Sequence, residues 1–224
     1  FYWTYFLLTF LDKIYLNSAL YNRIKAIKTD GLDAEDQRLL EVYKQRFELA
    51  GANLSDADKE QMKKINAELA TLSTQFSSKL LEARKKGAVL ISDVKELDGL
   101  SADEIAAAAT DAKNAGYEGK YLLTLLNTTQ QPLLQNLKNR ATREKLFKAS
   151  WYRAEKGDEN DTRAILERQA KLRMEKAHLM GKSSYAELNL VDQMAKKPEN
   201  AMDLLYQLGK PAVEQAKREI VDIQ

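Results

Sequence analysis

Two stretches in the first half of the chain repeat apolar residues at helical spacing. The first is predicted to begin near Asp33 and to end at Gly51. Its apolar residues fall on one face: Leu39, Leu40, Tyr43, Phe47 and Ala50. The second begins with the capping-box-like pair Ser55 and Asp58 and runs to Gly87. Its apolar residues recur in steps of three and four, forming what we call the central seam: Met62, Ile65, Leu69, Leu72, Phe76 and Leu80. Such a seam is typical of a helix packed against a neighbouring helix.

The face opposite the central seam is charged. It carries Lys59, Lys63, Lys64, Glu68 and Lys79. A charge run of this kind on a helix predicts a solvated surface rather than a binding patch. Ahead of both helices, the pattern favours a first helix over residues 13–27.

The pattern then changes to two short apolar runs, residues 88–91 and 121–126, which are bounded by glycine and polar residues. Such runs are typical of strands, and we expect the two to pair. Between them, Ser101 and Glu104 form a capping box that opens an alanine-rich helix stopped by Gly116.

The second half of the chain is predicted to be helical over residues 132–140, 143–155, 160–180, 184–195 and from 198 onward. Pro132 suits an early helical position, and Asn160 and Ser184 are candidate caps. Gly157 and Gly181 are candidate stops, and Pro211 is expected to kink or break the last helix. The chain is therefore predicted to be mainly α, a multi-helical lobe with one small two-stranded β element.

The amino-acid composition excludes few classes of function. The chain has 224 residues, with 35 Lys and Arg against 33 Asp and Glu. This balance predicts no nucleic-acid partner. It has no cysteine and one histidine, which excludes disulfides, thiolate zinc sites and cysteine nucleophiles. A cytoplasmic location is expected, with the periplasm as the alternative.

The first eleven residues, Phe1 to Leu11, are apolar and aromatic. They lack the basic start and cleavage site of a secretory signal. They also fall short of the roughly 18 residues of a transmembrane helix, so no membrane partner is expected. The segment is interpreted as a helix buried against the rest of the protein, or else as residues foreign to the natural sequence. The helical pattern continues to Gln224 without a stop signal, and both ends are expected to be cuts in a longer chain.

Several segments carry a family resemblance. They are residues 46–59 (RFELAGANLSDADK), 69–83 (LATLSTQFSSKLLEA), 125–132 (LLNTTQQP), 153–163 (RAEKGDENDTR) and 179–198 (LMGKSSYAELNLVDQMAKKP). In this order they resemble the thimet-oligopeptidase-like zinc metallopeptidases of family M3, and most closely the bacterial peptidyl-dipeptidase branch. The resemblance runs from about Ile14 to the end and leaves residues 1–11 unmatched.

The resemblance implies a mostly helical fold with two lobes that wall a deep channel, with zinc on its floor. Residues 12–224 would be the N-terminal, non-catalytic wall of this channel, and the partners would be short peptides and a missing C-terminal catalytic lobe. Family members bind zinc with two His and a Glu, and use the glutamate of an H-E-x-x-H motif as general base. No position here matches that motif. We therefore expect no catalytic or metal-binding residue in this chain, with zinc only in the parent enzyme.

A polar turn between the second strand and the next helix is the candidate substrate contact. Its residues are Asn127, Thr128, Thr129 and Gln130, followed by Gln131. Amide and hydroxyl groups bond peptide backbones without reading side chains, which suits a channel lining. The alternative is that they cap the next helix or bond their own backbone.

Other residues are interpreted structurally. His178, near the end of a helix stopped by Gly181, is expected to face the negative end of the helix dipole or to pack. The acids Asp158, Glu159 and Asp161 are interpreted as a polar loop around a capping Asn160. The aromatics Trp3, Trp151 and Tyr152 are expected in a core or a lobe interface.

Two functions from different classes remain open at this point. The first is a part of a zinc metallopeptidase that releases C-terminal dipeptides from short peptides, with this fragment inactive alone. The second is a stand-alone helical interaction module whose central seam docks a partner helix. An H-E-x-x-H segment downstream in the gene would favour the first, and a natural stop codon shortly after Gln224 the second.

Overall fold

The computed structural model describes residues 10–126 and 131–224. It confirms a mainly helical chain with one two-stranded antiparallel sheet. Residues 10–15 are helical. The elements that follow are α1 (Ser18–Lys25), α2 (Ala34–Ala50), α3 (Asp56–Lys86), β1 (Val89–Ile91), a 3₁₀ helix (Val94–Leu97), α4 (Ala102–Asn114), β2 (Tyr121–Leu123), α5 (Leu133–Asn136), α6 (Arg140–Trp151), α7 (Arg163–Leu179), α8 (Tyr185–Leu190) and α9 (Pro198–Ile223).

The chain divides into two compact units. One comprises Phe1–Ala70 with Gln169–Gln224, and the other Thr71–Arg168. In the first, a cluster of Tyr21, Phe47 and Ala52 is buried. In the second, the core includes Ile91, Leu97, Leu123, Leu137 and Leu146. The assignment of residues 12–224 to one family lobe stays a prediction.

The predicted ends of α2 are confirmed. The Asp33 carboxylate accepts a hydrogen bond from the Asp36 N–H at 2.8 Å, which satisfies a free donor of the first turn. Gly51 follows the helix with a left-handed φ of 107°. A Cβ at this position would lie 2.7 Å from the Cδ1 atom of Leu54, so both conformation and space favour glycine.

The single first helix predicted over residues 13–27 is wrong. The chain leaves the helical conformation at Leu16 and Asn17 and re-enters it at Ser18. The Asn17 side chain accepts a hydrogen bond from the Leu20 N–H at 3.0 Å and so caps α1. Asparagine bonds nearby backbone readily, and here this local bond starts a new helix.

The central seam of α3 is buried unevenly. Met62 and Ile65 are buried, whereas Leu69, Leu72, Phe76 and Leu80 are half-buried. The opposite face departs from the prediction at Lys59. This residue is only 6% exposed, and its ammonium donates a hydrogen bond to the Ser18 hydroxyl. Its neighbours Lys63 and Lys64 are exposed as predicted.

The two predicted strands pair as expected. β1 and β2 are antiparallel, with Val89 opposite Leu123 and Ile91 opposite Tyr121. The predicted capping box of α4 is also confirmed: the Ser101 hydroxyl accepts from the Glu104 N–H, and the Glu104 carboxylate accepts from the Ser101 N–H at 2.8 Å. α4 packs against β2 through its small side chains, since Ala108 and Ala112 are buried.

The helix predicted over residues 132–140 is much shorter. α5 ends at Asn136, because Asn139 adopts an extended conformation and caps α6 by accepting from the Thr142 N–H at 3.0 Å. α6 therefore begins at Arg140, three residues before the predicted start, and ends at Trp151, well before Gly157.

The cap predicted at Asn160 is wrong, because α7 begins at Arg163. α9 continues through Pro211, so the helix does not break there, and a kink at this residue stays a prediction. A proline in a helix loses one backbone hydrogen bond, and the remaining turns on either side preserve the helix. The predicted cap Ser184 is confirmed, since its hydroxyl accepts from the Glu187 N–H at 3.1 Å. In the described ranges, no helix has both the length and the apolar character of a membrane span.

Burial in the first turns of α3 generates a stability prediction. Met62 and Lys63 are neighbours on one helix with similar helix propensities, but Met62 is 0% exposed and Lys63 is exposed. Met62→Ala should lower the free energy of unfolding by about 2–5 kcal/mol. Lys63→Ala should change it by less than about 0.5 kcal/mol, because only an exposed ion pair with Glu60 is lost. Urea denaturation measures both, and equal losses would show that Met62 is not a core residue.

Candidate functional site

The predicted substrate-contact residues Asn127, Thr128, Thr129 and Gln130 lie outside the described residues. Their channel-lining role therefore stays a prediction. The flanking residues Leu126 and Gln131 are described, and both are held in place by hydrogen bonds.

Gln131 fixes both ends of the segment. Its side chain is 4% exposed, and its Oε1 atom accepts a hydrogen bond from the Leu126 N–H at 3.0 Å. Its Nε2 atom donates to the buried Ser150 hydroxyl, also at 3.0 Å. A buried amide with both its oxygen and its nitrogen bonded is strongly oriented. Residues 126 and 131 are thus held together and tied to the last turn of α6.

Arg153 adds a second tie at the same place. Its Nη1 atom donates a hydrogen bond to the Leu126 carbonyl at 2.6 Å. Because the guanidinium is charged, this bond is stronger than one between neutral groups. Leu126, which follows β2 by three residues, is therefore held at both its N–H and its carbonyl.

An exposed aromatic pair lies on α6, the helix that also carries Ser150. The rings of Phe147 and Trp151 stack with centroids 5.6 Å apart, and the two residues are 48% and 59% exposed. Tyr152, at the end of the helix, is also exposed. The expectation that Trp151 and Tyr152 are core residues is wrong. Trp3 lies outside the described residues, and a role in a lobe interface is not tested.

The acidic loop before α7 is held by its own basic and backbone partners. The Asp161 carboxylate accepts from the Arg163 guanidinium, the Arg163 N–H and the Gly157 N–H, and the first of these contacts holds the pKa of Asp161 far below its usual range. The Glu159 carboxylate accepts from the Lys86 ammonium, which lowers its pKa. Asn160 is buried rather than capping. The interpretation as a polar loop agrees with these contacts.

His178 lies in the last turn of α7, as predicted, and its side chain is exposed. Its location fits a contact with the negative end of the helix, whereas the alternative of packing is wrong. Within residues 10–126 and 131–224, no three His, Asp or Glu side chains are grouped so that they could share a metal ion.

A polar network in the first unit was missed by sequence reasoning. The Lys176 ammonium donates to the Asn66 side-chain oxygen at 2.9 Å, and the Asn66 amide donates to the Asp12 carboxylate at 2.9 Å. Burial is the main cause of a lowered pKa at Lys176 and a raised pKa at Asp12. These residues are far apart in sequence and lie on helices, where a charged residue is ordinarily predicted to be solvent-exposed. No local sequence pattern could therefore have predicted this network.

Comparison with known proteins extends these observations. Residues 133–224 match the family model described as Peptidase family M3. The dipeptidyl carboxypeptidase of Escherichia coli strain K12 is 47% identical over 217 residues, which cover 95% of this chain and 32% of that protein. The dipeptidyl carboxypeptidase of Salmonella typhimurium strain LT2 is 46% identical over 217 residues, with the same coverage of 95% and 32%.

A plant relative is more distant. The probable cytosolic oligopeptidase A of Arabidopsis thaliana is 37% identical over 215 residues, covering 92% of this chain and 30% of that protein. The chain thus spans about a third of the length of the curated relatives it matches.

The network around Lys176 generates a prediction about pH. Because the pKa of Lys176 is lower in the folded state, the unfolded state binds more protons between this pKa and the ordinary value of 10.5. The stability of the wild type relative to Lys176→Met should therefore rise as the pH increases from 7 toward about 10. Comparing the free energies of unfolding of the two chains at each pH removes the titration of all other groups. A difference that is constant or falls with pH would contradict the burial of this ammonium.

Proposed function

We propose that this chain, which is similar to the family M3 peptidases, is the non-catalytic part of a zinc-dependent peptidyl-dipeptidase. This enzyme would release dipeptides from the C-terminus of short peptides. The observation that carries the proposal is the 47% identity to a dipeptidyl carboxypeptidase across 95% of the chain. The alternative within the family is an enzyme of the oligopeptidase type, as the name of the plant relative suggests.

The residues of this chain do not fit a catalytic zinc site. Such a site uses three protein ligands, drawn mainly from His, Cys and carboxylates, with one open position. The sequence has one His and no Cys, and His178 is exposed in the last turn of α7. We therefore propose that zinc, with its ligands and general base, belongs to the part of the parent protein that lies outside this chain.

The role we propose for this chain is to form a wall of the substrate channel. The contacts of Leu126 and Gln131 support this proposal, because these two residues flank a segment rich in amides and hydroxyls and are themselves held by hydrogen bonds. Such groups bond a peptide backbone whatever its side chains, as an enzyme for varied short peptides requires. The exposed rings of Phe147 and Trp151 on α6 offer apolar surface to a peptide side chain.

The alternative of a stand-alone interaction module has less support. Its docking surface was to be the central seam, yet Met62 and Ile65 are already buried within this chain. A helix that docks on a partner needs its anchoring side chains accessible.

The intact gene product provides the test of activity. We expect it to release dipeptides from a short peptide with a free C-terminus, to lose this activity on treatment with a chelator, and to recover it when zinc is added. The 224-residue chain alone should neither cleave the peptide nor retain stoichiometric zinc. His178→Ala should leave the activity of the intact protein unchanged. Activity or bound zinc in the isolated chain, lost in His178→Ala, would refute the proposal.

A second test addresses the channel wall. In the intact protein, Asn127→Ala and Gln130→Ala should each raise KM for a short peptide about fivefold with little change in kcat, because a lost hydrogen bond to substrate costs about 1 kcal/mol in both ground and transition states. Asn114→Ala, at the exposed end of α4, is the control and should behave as the wild type. If all three variants keep the wild-type KM, residues 127–130 do not contact substrate.

A further inference from the structure

Helix α9 (Pro198–Ile223) exposes apolar side chains along its whole length. None of its residues is buried. The exposed apolar residues of α9 are Met202, Leu204, Leu205, Tyr206, Leu208, Val213, Ile220, Val221 and Ile223, with exposures between 43% and 83%. Soluble proteins rarely expose contiguous apolar surface on this scale unless it serves an interaction.

Part of this apolar surface forms one continuous stripe. Steps of three and four residues, the spacing of one helical face, join Met202, Leu205, Gly209, Ala212, Ala216, Ile220 and Ile223. We refer to these seven residues as the α9 stripe. The opposite side carries polar residues such as Gln207, Glu214 and Arg218. This is the pattern of a helix that packs against another helix on one side and meets water on the other.

The middle of the α9 stripe is shaped for close approach. Gly209, Ala212 and Ala216 are small, with larger apolar side chains at both ends of the stripe. A Cβ atom added at Gly209 would meet nothing within 4 Å, so the space above this residue is open. Small side chains at a crossing point let two helix axes come closer than larger residues permit.

The occupant we infer is a helix from outside this chain. The chain covers 32% of the E. coli relative, so about two thirds of that protein's length has no counterpart here. α9 itself lies within the residues that match the family model. We propose that the α9 stripe is the docking surface for a helix of the remaining part of the parent peptidase. The inference rests on the proposed function only in that it requires such a longer parent protein.

Thiol accessibility tests this proposal cleanly, because the chain contains no cysteine. Leu205→Cys places a thiol on the α9 stripe, and Gln207→Cys places a matched thiol two residues away on the polar side. In the isolated chain both should react with an alkylating reagent at similar rates. In the intact gene product, Leu205→Cys should react about tenfold or more slowly, whereas Gln207→Cys should keep its rate. Peptide mass spectrometry identifies the labelled site.

Other outcomes overturn the proposal. If both thiols react equally fast in the intact protein, the α9 stripe is free there. If Leu205→Cys is already protected in the isolated chain, and light scattering shows a dimer, the occupant is a second copy of the chain. The labelling needs no catalysis, so an intact protein that protects Leu205→Cys but cleaves no peptide would refute the proposed function alone.

A variant at Gly209 provides an independent measurement. Gly209→Leu should not destabilise the isolated chain, because the space there is open and leucine has the better helix propensity. In the intact protein the added side chain would collide with the docked helix and lower the midpoint of urea unfolding. An unchanged midpoint in the intact protein would contradict close packing at this residue.

Discussion

The second unit depends on the burial of one apolar surface formed by β1 and β2. Two strands of three residues each have little stability in water on their own. Here Ile91 and Leu123 are each 1% exposed and belong to a core that also takes in Leu97, Leu137 and Leu146. The pairing and the core stabilise each other, because the strands hold the apolar side chains in register while α4 and α6 exclude water from them. The candidate site follows this arrangement along the chain, since Gln131 and Arg153 hold the backbone of Leu126 three residues after the end of β2.

Sequence reasoning succeeded where the deciding interactions are local. The caps Asp33, Ser101 and Ser184 each bond an N–H three residues ahead, and the left-handed turn at Gly51 follows directly from the residue type. Asn17 and Asn139 show the limit of the same rule. Both cap helices that the periodicity alone joined or displaced, because an apolar pattern can continue smoothly across a cap.

The failures are mostly tertiary. Lys59 belongs to the charged face predicted from the sequence, yet it is buried in the structure. Its ammonium donates a hydrogen bond to the hydroxyl of Ser18, which lies on another helix. Leu39 and Tyr43 fall on the predicted apolar face of α2 but are exposed. Trp151 was expected in a core or a lobe interface, and within this chain it is not in a core but exposed and stacked on Phe147. Which side chains are covered depends on the placement of other elements, and helical periodicity carries no information about that placement. The candidate segment 127–130 could be selected from its composition, whereas its anchoring by Gln131 could not.

The polar interactions of the chain suit a part whose task is to hold shape. The Asp12, Asn66 and Lys176 network holds two half-buried opposite charges that bond through one amide, an arrangement that contributes little net stability but penalises any packing that separates the three groups. The same reasoning applies to Gln131, whose side chain bonds both Leu126 and Ser150 and so penalises any arrangement that separates these residues. In the proposed channel wall these residues would offer a fixed surface, and such a surface would favour catalysis because a substrate held in one orientation loses less entropy on reaching the transition state.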